Sequence, residues 1–147
     1  MPHSSRGSKL PPFLTVDVRR DSPGSSLVAP NPWMAALGRV ADGAPVCRVG
    51  FGISPINDRI YVDGLNVDEE FRRCGYGGAL LLAVVNLHRS GGRRLPITAL
   101  EETWSASAFW NSLRNGRIPG LQVTADLRAS ELDDERRRWR VALMTDD

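Results

Sequence analysis

The stretch VDEEFRRCGYGGALLLAVV, residues 67–85, decides how this chain folds. It begins with acidic residues, continues with two arginines and three glycines, and ends in a long apolar run. Such an order is typical of a loop that leads into a helix with little exposed face. We therefore predict a helix from Gly75 to about Gly91, which Gly91 and Gly92 bring to an end.

The start of this helix has the features of a phosphate site. A helix N-terminus leaves backbone N–H groups without partners, and the helix dipole adds partial positive charge. Gly75, Gly77 and Gly78 remove side chains that would keep a ligand away, and Arg72 and Arg73 add full charge. The combination favours a diphosphate. The alternative is that the glycines serve only close helix packing.

Two common diphosphate motifs do not match. A dinucleotide fingerprint, G-x-G-x-x-G, would require glycine at position 80, which is Leu80. A P-loop would require Gly-Lys-Ser or Gly-Lys-Thr, and the sequence contains neither triplet. The segments before the loop also read as a hairpin meander instead of a βαβ unit.

Hydrophobic patterning predicts the other elements. A helix is predicted at residues 103–116, with Thr103 or Ser105 as its N-cap and Gly116 near its end. Turns are predicted at Asp42-Gly43 and at residues 54–58. The predicted strands are residues 13–20, 33–40, 45–53, 59–67, 94–100, 121–127 and 136–144.

Length and composition predict a single globular domain. The chain has 147 residues, and we assign residues 1–11 to a flexible tail and residues 12–147 to the domain. No apolar run approaches the roughly 20 residues of a membrane span, and the N-terminus lacks the apolar core of a signal peptide. We expect a cytoplasmic protein without a membrane partner.

Charge and metal-binding residues narrow the function classes. A net charge of +2 is too small to indicate a nucleic-acid partner by itself. Cys47 and Cys74 show no metal-ligand spacing, and His3 and His88 are unpaired in the sequence. We expect Cys47 to be a core thiol, and we expect no metal site.

Residues 65–81, LNVDEEFRRCGYGGALL, resemble the acetyl-CoA motif of the GNAT superfamily of N-acetyltransferases. The family pattern is Gln or Arg, two residues, Gly, one residue, then Gly or Ala; here residues 72–77 read RRCGYG. The resemblance extends over about residues 33–127 and includes the later segments ITALEE and SASAFWNSL.

The resemblance implies a mixed α/β fold. Its central sheet is mostly antiparallel, with about six to seven strands, splayed fourth and fifth strands and flanking helices. Many relatives place two helices between the first two strands, where residues 21–32 are too few for them. The acceptor side would then be open, which suits an extended acceptor or a pocket completed by a second subunit of a homodimer.

The resemblance also implies a binding site for acetyl-CoA as co-substrate. Backbone N–H groups from about residue 73 to 78 would hold the diphosphate, and the main chain of residues 65–67 would pair with the pantetheine arm. The implied cofactor-binding residues are Leu65, Asn66, Val67, Arg72, Arg73, Cys74, Gly75, Tyr76, Gly77, Gly78 and Trp110.

Family enzymes usually transfer the acetyl group directly to an amine, with a carboxylate near the splayed strands as the base. The candidates are Asp63 and Glu101, with Glu102 beside them. The implied acceptor is an amine-bearing small molecule or peptide. The alternative is that Asp63 belongs to a solvated Asp63-Gly64 bend and that the two glutamates only favour a helix dipole.

The chain departs from the family at the residue that commonly protonates the leaving thiolate. That tyrosine typically lies four residues after an alanine, and counting from Ala106 reaches Trp110. An indole N–H is a very poor acid. A non-catalytic acyl-CoA-binding module is therefore one alternative function.

The run DDERRRWR, residues 133–140, gives another alternative. Read as a strand, it places Arg136, Arg138 and Arg140 on one face. This is either a solvated face or a basic stripe for RNA. Because some family toxins acetylate aminoacyl-tRNA, we keep that activity as a second alternative.

Overall fold

The structure is a computed structural model that describes residues 14–21, 32–40, 43–100 and 102–144. The predicted tail at residues 1–11 lies outside the described residues, as do Asp42 and the candidate base Glu101. Most of the short connection between the first two predicted strands, residues 22–31, lies outside them as well.

A mixed sheet forms the centre of the molecule. Its order is β1-β2-β3-β4-β5, with the first four strands antiparallel and β5 parallel to β4. The strands are β1 (Thr15–Arg20), β2 (Trp33–Arg39), β3 (Pro45–Ile53), β4 (Ile60–Val67) and β5 (Ile97–Ala99). The predicted antiparallel meander is thereby confirmed.

Tight turns set the register of the meander. The Gly43 amide donates to the Val40 carbonyl at 2.8 Å, and Gly43 has a positive φ of 87° that suits glycine. At the next turn the Ser54 amide donates to the Arg59 carbonyl at 3.0 Å. Both connections lie where the turn residues of the sequence predict them.

Within the described residues, three helices flank the sheet. They are α1 (Tyr76–Leu87), α2 (Ser107–Arg114) and α3 (Leu132–Met144), and short 3-10 turns lie at Glu69–Phe71, Trp104–Ala106 and Ala129–Glu131. The prediction of Thr103 or Ser105 as N-cap of the second helix is wrong, because a 3-10 turn precedes α2 and places Ala106 at its N-cap.

The first helix is shorter than predicted. It ends at Leu87, and Gly91 and Gly92 belong to a separate turn in which Ser90 and Arg93 exchange backbone hydrogen bonds of 2.9 and 3.0 Å. Both glycines have positive φ, 59° and 79°, as such a turn requires. The glycine pair therefore makes a turn before β5 instead of capping α1.

The sheet has a hydrophobic cluster on each face. Successive strand residues point to opposite faces, so Ile60 and Val62 lie in the main core with α1, whereas Tyr61 lies in a second cluster. The second cluster contains Trp33, Tyr61, Leu100, Leu127, Leu132 and Trp139. The sheet is thus covered by α1 on one face and by α3 on the other.

The two closing strands predicted at residues 121–127 and 136–144 are wrong. Residues 121–127 run beside β5 but make only isolated bridges, Ile97 to Val123 and Leu100 to Leu127. Residues 136–144 are helical. The sheet therefore has five strands among the described residues instead of six to seven.

Charge spacing explains why residues 136–144 form a helix and not the predicted strand. Asp133 pairs with Arg136 at 3.1 Å, and Asp134 pairs with Arg137 at 2.9 Å. Residues three apart are neighbours on a helix, and acids in its first turn favour the helix dipole. These signals outweigh the short polar–apolar alternation that suggested a strand.

The helix also removes the predicted basic stripe. Residues two apart do not share a helix face, and Arg136 and Arg138 pair with carboxylates of their own helix, Arg138 with Glu135 at 2.6 Å. This segment therefore does not support the alternative in which a basic stripe binds RNA. No helix of the described residues is long and apolar enough to cross a membrane.

Candidate functional site

The sheet opens between its last two strands. Pairing of β4 with β5 covers only Ile60–Val62, and the Leu100 amide makes a last contact with the Val62 carbonyl at 2.9 Å. Beyond Val62, β4 contains a bulge. The bulge includes Gly64, which has a φ of 68° and lies where the register between β3 and β4 shifts. The strands diverge there, as the resemblance implied.

The diverging part of β4 presents an open edge. The Asp68 amide donates to Val46 of β3 at 2.8 Å. Because the peptide is planar, the Val67 carbonyl points the opposite way, into the opening, where it accepts a 3.0 Å bond from Arg72 Nε. The backbone N–H and C=O groups of Leu65, two residues earlier, point to the same edge of the strand. An extended ligand can add here as a strand would.

The loop after β4 exposes backbone N–H groups. Arg73 and Gly75 have positive φ, 64° and 86°, and such turns bring successive amides into a concave anion site. The helical bond from Ala79 N–H to Gly75 measures 3.0 Å. The amides of Tyr76 and Gly77 precede it and have no partner within the helix.

These parts line one cleft of about 760 Å³. It contains every predicted cofactor-binding residue except Cys74, which is exposed and directs its thiol toward the Arg72 carbonyl at 3.5 Å. The assignment of these residues to a cofactor stays a prediction, but the fold brings together backbone and side chains that lie 45 positions apart in the sequence, from Leu65 to Trp110.

The far wall of the cleft comes from residues that sequence reasoning missed. Phe109, interpreted as core, is half-buried and lines the cleft, and the Arg117 guanidinium lies 5.6 Å from the centre of its ring. A third cation therefore joins Arg72 and Arg73. The only signal in the sequence was a lone arginine after Gly116.

Gly77 and Gly78, in the first turn of α1, have different neighbours. A Cβ on Gly78 would lie 2.4 Å from Ile118 Cδ1, so this glycine serves close packing. A Cβ on Gly77 would meet Phe109 Cζ at 3.4 Å, across the cleft. Close packing is therefore the role of Gly78, whereas the role of Gly77 in a diphosphate site stays a prediction.

A smaller cavity of about 180 Å³ lies between the diverging strands. It shares Leu65, Thr103, Ala106 and Trp110 with the large cleft, so the two are continuous. Trp110 is 5% exposed, and its indole donates no hydrogen bond to any residue that the structure describes. The junction of the two spaces is thus lined by an indole.

Two described carboxylates line this cavity. The Glu102 carboxylate accepts two hydrogen bonds from Arg114, which also donates to the Thr124 carbonyl at 2.7 Å. This bidentate pair fixes Glu102 in a structural role. Asp63, on β4, is the other carboxylate and is half-buried. Of the candidate bases, Asp63 is the one that the described site retains.

The tyrosines do not replace the missing acid. Tyr61 is fully buried on the face that packs against α3, where the Trp139 indole donates to its hydroxyl at 2.8 Å. Tyr76 lies in the large cleft, with its ring 5.8 Å from that of Phe71. Neither residue lines the small cavity.

Other groups with reactive side chains are structural. Burial raises the pKa of the Cys47 thiol to about 11, which confirms its place in the core. Burial lowers the pKa of His88, whose ring lies 5.0 Å from that of Phe51. The described part of the chain contains no cluster of three or more His, Cys, Asp or Glu that could hold a metal ion.

The mixed sheet opens beside a glycine-rich helix start, and the comparison with protein families assigns this arrangement to a class. The model of the Acetyltransferase (GNAT) family matches residues 12–111. Since this match spans more than half of the 147 residues, the chain belongs to the GNAT family of acetyltransferases.

Individual relatives are distant. The chain is similar to the crystal structure of a provisionally assigned acetyltransferase from Deinococcus radiodurans R1, with a TM-score of 0.46 and 19% sequence identity. The similarity covers 69% of this chain and 64% of that one, so this chain spans less than two thirds of that protein. No curated protein matches the sequence.

Proposed function

We propose that the protein transfers an acetyl group from acetyl-CoA to a primary amine by direct attack. The observation that carries the proposal is one continuous path, from the exposed amides at the start of α1, along the open edge of β4, to the small cavity beside Trp110. Its parts match the successive parts of acetyl-CoA: a diphosphate, an extended amide-bearing arm and a short thioester.

Charge and backbone would hold the co-substrate. The amides of residues 73–78 would bind the diphosphate, and Arg72, Arg73 and Arg117 would supply its counter-charges. The pantetheine amides would pair with Leu65 and Val67. The Arg72 side chain now bonded to the Val67 carbonyl would then move to the diphosphate.

The chemistry would occur in the small cavity. The amine nitrogen attacks the thioester carbonyl carbon, the carbon–sulfur bond breaks, and an amide and free CoA form. Asp63 would accept the amine proton, directly or through water, because it lines this cavity. Cleft water would protonate the thiolate, since Trp110 is too weak an acid.

The proposed base can be tested by substitution. Asp63→Asn should lower kcat by about 100-fold and leave the KM for acetyl-CoA nearly unchanged, because the carboxylate lies in the small cavity and not in the diphosphate loop. The measurement is steady-state release of the CoA thiol. Glu69→Gln is the control, since Glu69 is exposed and lines neither space. Equal kcat in Asp63→Asn and wild type would remove Asp63 from the mechanism.

The leaving group gives a second test. Trp110→Tyr should raise kcat by about tenfold, because a phenol at the junction of the two spaces can donate the proton that an indole cannot. Trp110→Phe, which offers no proton, is the control and should show no such gain. If both variants change kcat equally, ring size explains the effect and proton donation does not.

The function itself is tested by two measurements on the whole chain. Calorimetry with acetyl-CoA should show one binding event, and thiol release with a panel of primary amines and peptides should identify an acceptor. Binding without turnover would favour the alternative of a non-catalytic acyl-CoA-binding module, for which the specific observation is that an indole, that of Trp110, lines both spaces. Absence of acetyl-CoA binding would contradict both functions.

A further inference from the structure

About half of the described arginines pair with carboxylates, and six of those that do not pair line one of two clefts. The arginines without an ion pair in the described ranges are Arg19, Arg20, Arg72, Arg73, Arg89, Arg93, Arg94, Arg117 and Arg140. Arg72, Arg73 and Arg117 line the proposed acetyl-CoA cleft. A second group consists of Arg89, Arg93 and Arg94, which line a different cleft.

This second cleft has a volume of about 880 Å³ and lies between the end of α1, the turn before β5 and the segment after α2. It shares no lining residue with the acetyl-CoA cleft. Among the described residues the lining contains no aspartate or glutamate, and Arg114, also in the lining, is already paired with Glu102. Its apolar wall includes Leu95, Ile118 and Leu121.

Two of the three arginines of the second cleft, Arg89 and Arg94, are oriented by the neutral amide of Asn86. Asn86 Oδ1 accepts a 2.6 Å bond from Arg94 Nε and a 3.3 Å bond from Arg89 Nη2. An amide orients two guanidinium groups without cancelling their charge, which a carboxylate would do. Gly120, with a positive φ of 84° that suits glycine, lies against the Arg94 guanidinium.

We propose that this cleft binds a small phosphate-bearing ligand other than acetyl-CoA. Like charges gathered without a counter-ion repel each other, and an anion would relieve that repulsion. The planar guanidinium fork of Arg89, Arg93 and Arg94 matches phosphate oxygens. The apolar wall would take the body of the ligand.

A small ligand fits better than a nucleic acid. The cations lie around one concave space, whereas Arg136 and Arg137, which follow each other on α3, are paired with acids. A net charge of +2 gives no extended basic surface of the kind that follows a phosphodiester backbone. Free inorganic diphosphate and a nucleoside phosphate share the required chemistry, so both serve as probes.

The test is calorimetry with pyrophosphate and with ATP on the full chain. The measurement is made with saturating CoA and, separately, in a Gly77→Glu background, where the α1 loop is obstructed whether or not CoA binds. We expect one binding event in each case. Asn86→Asp should weaken it about tenfold, because the new carboxylate keeps both hydrogen bonds but lowers the positive charge of the site.

Matched variants separate this site from general charge effects. Arg93→Glu, which removes an exposed guanidinium without a recorded partner, should weaken pyrophosphate binding by at least about tenfold. Arg140→Glu, an exposed and unpaired arginine outside both clefts, should leave it unchanged. Thermal melting of each variant checks that the fold is retained.

Four results would overturn the proposal. They are absence of binding at millimolar pyrophosphate, full competition between CoA and pyrophosphate in the wild type, equal losses in Asn86→Asp and Arg140→Glu, and binding of an oligonucleotide where neither small probe binds. Failure of acetyl-CoA to bind would contradict the proposed function. It would not contradict the proposal of a second phosphate-binding cleft, because the measurement in the Gly77→Glu background does not require CoA.

Discussion

A Gly77→Glu variant should lose acetyl-CoA binding by more than about 1000-fold while remaining folded. Gly77 lies in the first turn of α1, and the position of its missing Cβ is 3.4 Å from Phe109 Cζ across the cleft. A glutamate side chain would extend from there into the space proposed for the diphosphate. Loss of several charge-assisted hydrogen bonds, each worth about 1.5–3 kcal/mol, accounts for the size of the effect.

The matched control is Gly77→Ala. A single Cβ makes an ordinary contact with Phe109 and with Val67, at 3.4 and 3.6 Å, and alanine favours a helix over glycine. This variant should therefore bind acetyl-CoA within about tenfold of the wild type and melt no lower. Calorimetry and thermal melting of the three proteins decide the matter. Retained binding in a folded Gly77→Glu protein would place the diphosphate elsewhere.

The local features of the fold are those that the sequence predicts well. The turn at Gly43 and the turn from Ser54 to Arg59 depend on residues that are close in the chain, and so does the start of α1 at Gly75. The end of α1 was predicted four residues too late, at Gly91. The signal for a stop was correct, but the glycines serve a turn between the helix and β5.

Features that depend on distant segments were harder to predict. The open edge at Leu65 and Val67 came from a family resemblance, because no local pattern shows where two strands diverge. Phe109 was interpreted as core, since helical spacing identifies a buried face without telling a core from a cleft wall. The surroundings of Arg117 and Arg94 depend on tertiary packing, which places Arg117 beside Phe109 and Arg94 beside Asn86.

The helical form of residues 132–144 gave the clearest disagreement, and its cause is instructive. A short alternation of arginine and apolar residues fits a strand, yet the three preceding acids lie three positions before three arginines. Period-three charge pairing has no use on a strand, where residues three apart point to opposite faces. Counting charge spacing before hydrophobic alternation would have identified the helix.

The same helix carries the most deeply buried charge among the described residues. Glu135 is 6% exposed, and its carboxylate accepts hydrogen bonds from the Tyr61 hydroxyl and from two nitrogens of Arg138. Arg59 Nη1 lies 3.6 Å away. Burial alone would raise the pKa of Glu135, but the bonds from Arg138 and Tyr61 outweigh it and hold the pKa below its ordinary value of 4.5.

Removing this carboxylate should destabilise the fold strongly. Glu135→Ala leaves the buried Tyr61 hydroxyl and two nitrogens of Arg138 without their acceptor, while Arg138 Nη1 keeps its 2.6 Å bond to Asp58, which predicts a loss of about 2–3 kcal/mol in the free energy of unfolding. Tyr61 belongs to β4, so the loss should affect the strand that carries the proposed site. Urea denaturation at neutral pH measures the effect.

The pH dependence gives the prediction its sharpest form. Because the folded-state pKa of Glu135 is lowered, its contribution is fully present above the ordinary value of 4.5 and is lost as pH falls through the folded pKa. The difference in stability between the wild type and Glu135→Ala should therefore be constant near neutrality and shrink in acid. Asp134→Ala, which breaks an exposed pair on the same helix, should cost less than about 1 kcal/mol at every pH. A cost for Glu135→Ala no greater than that of Asp134→Ala would mean that the Glu135 carboxylate does not help to hold α3 to β4.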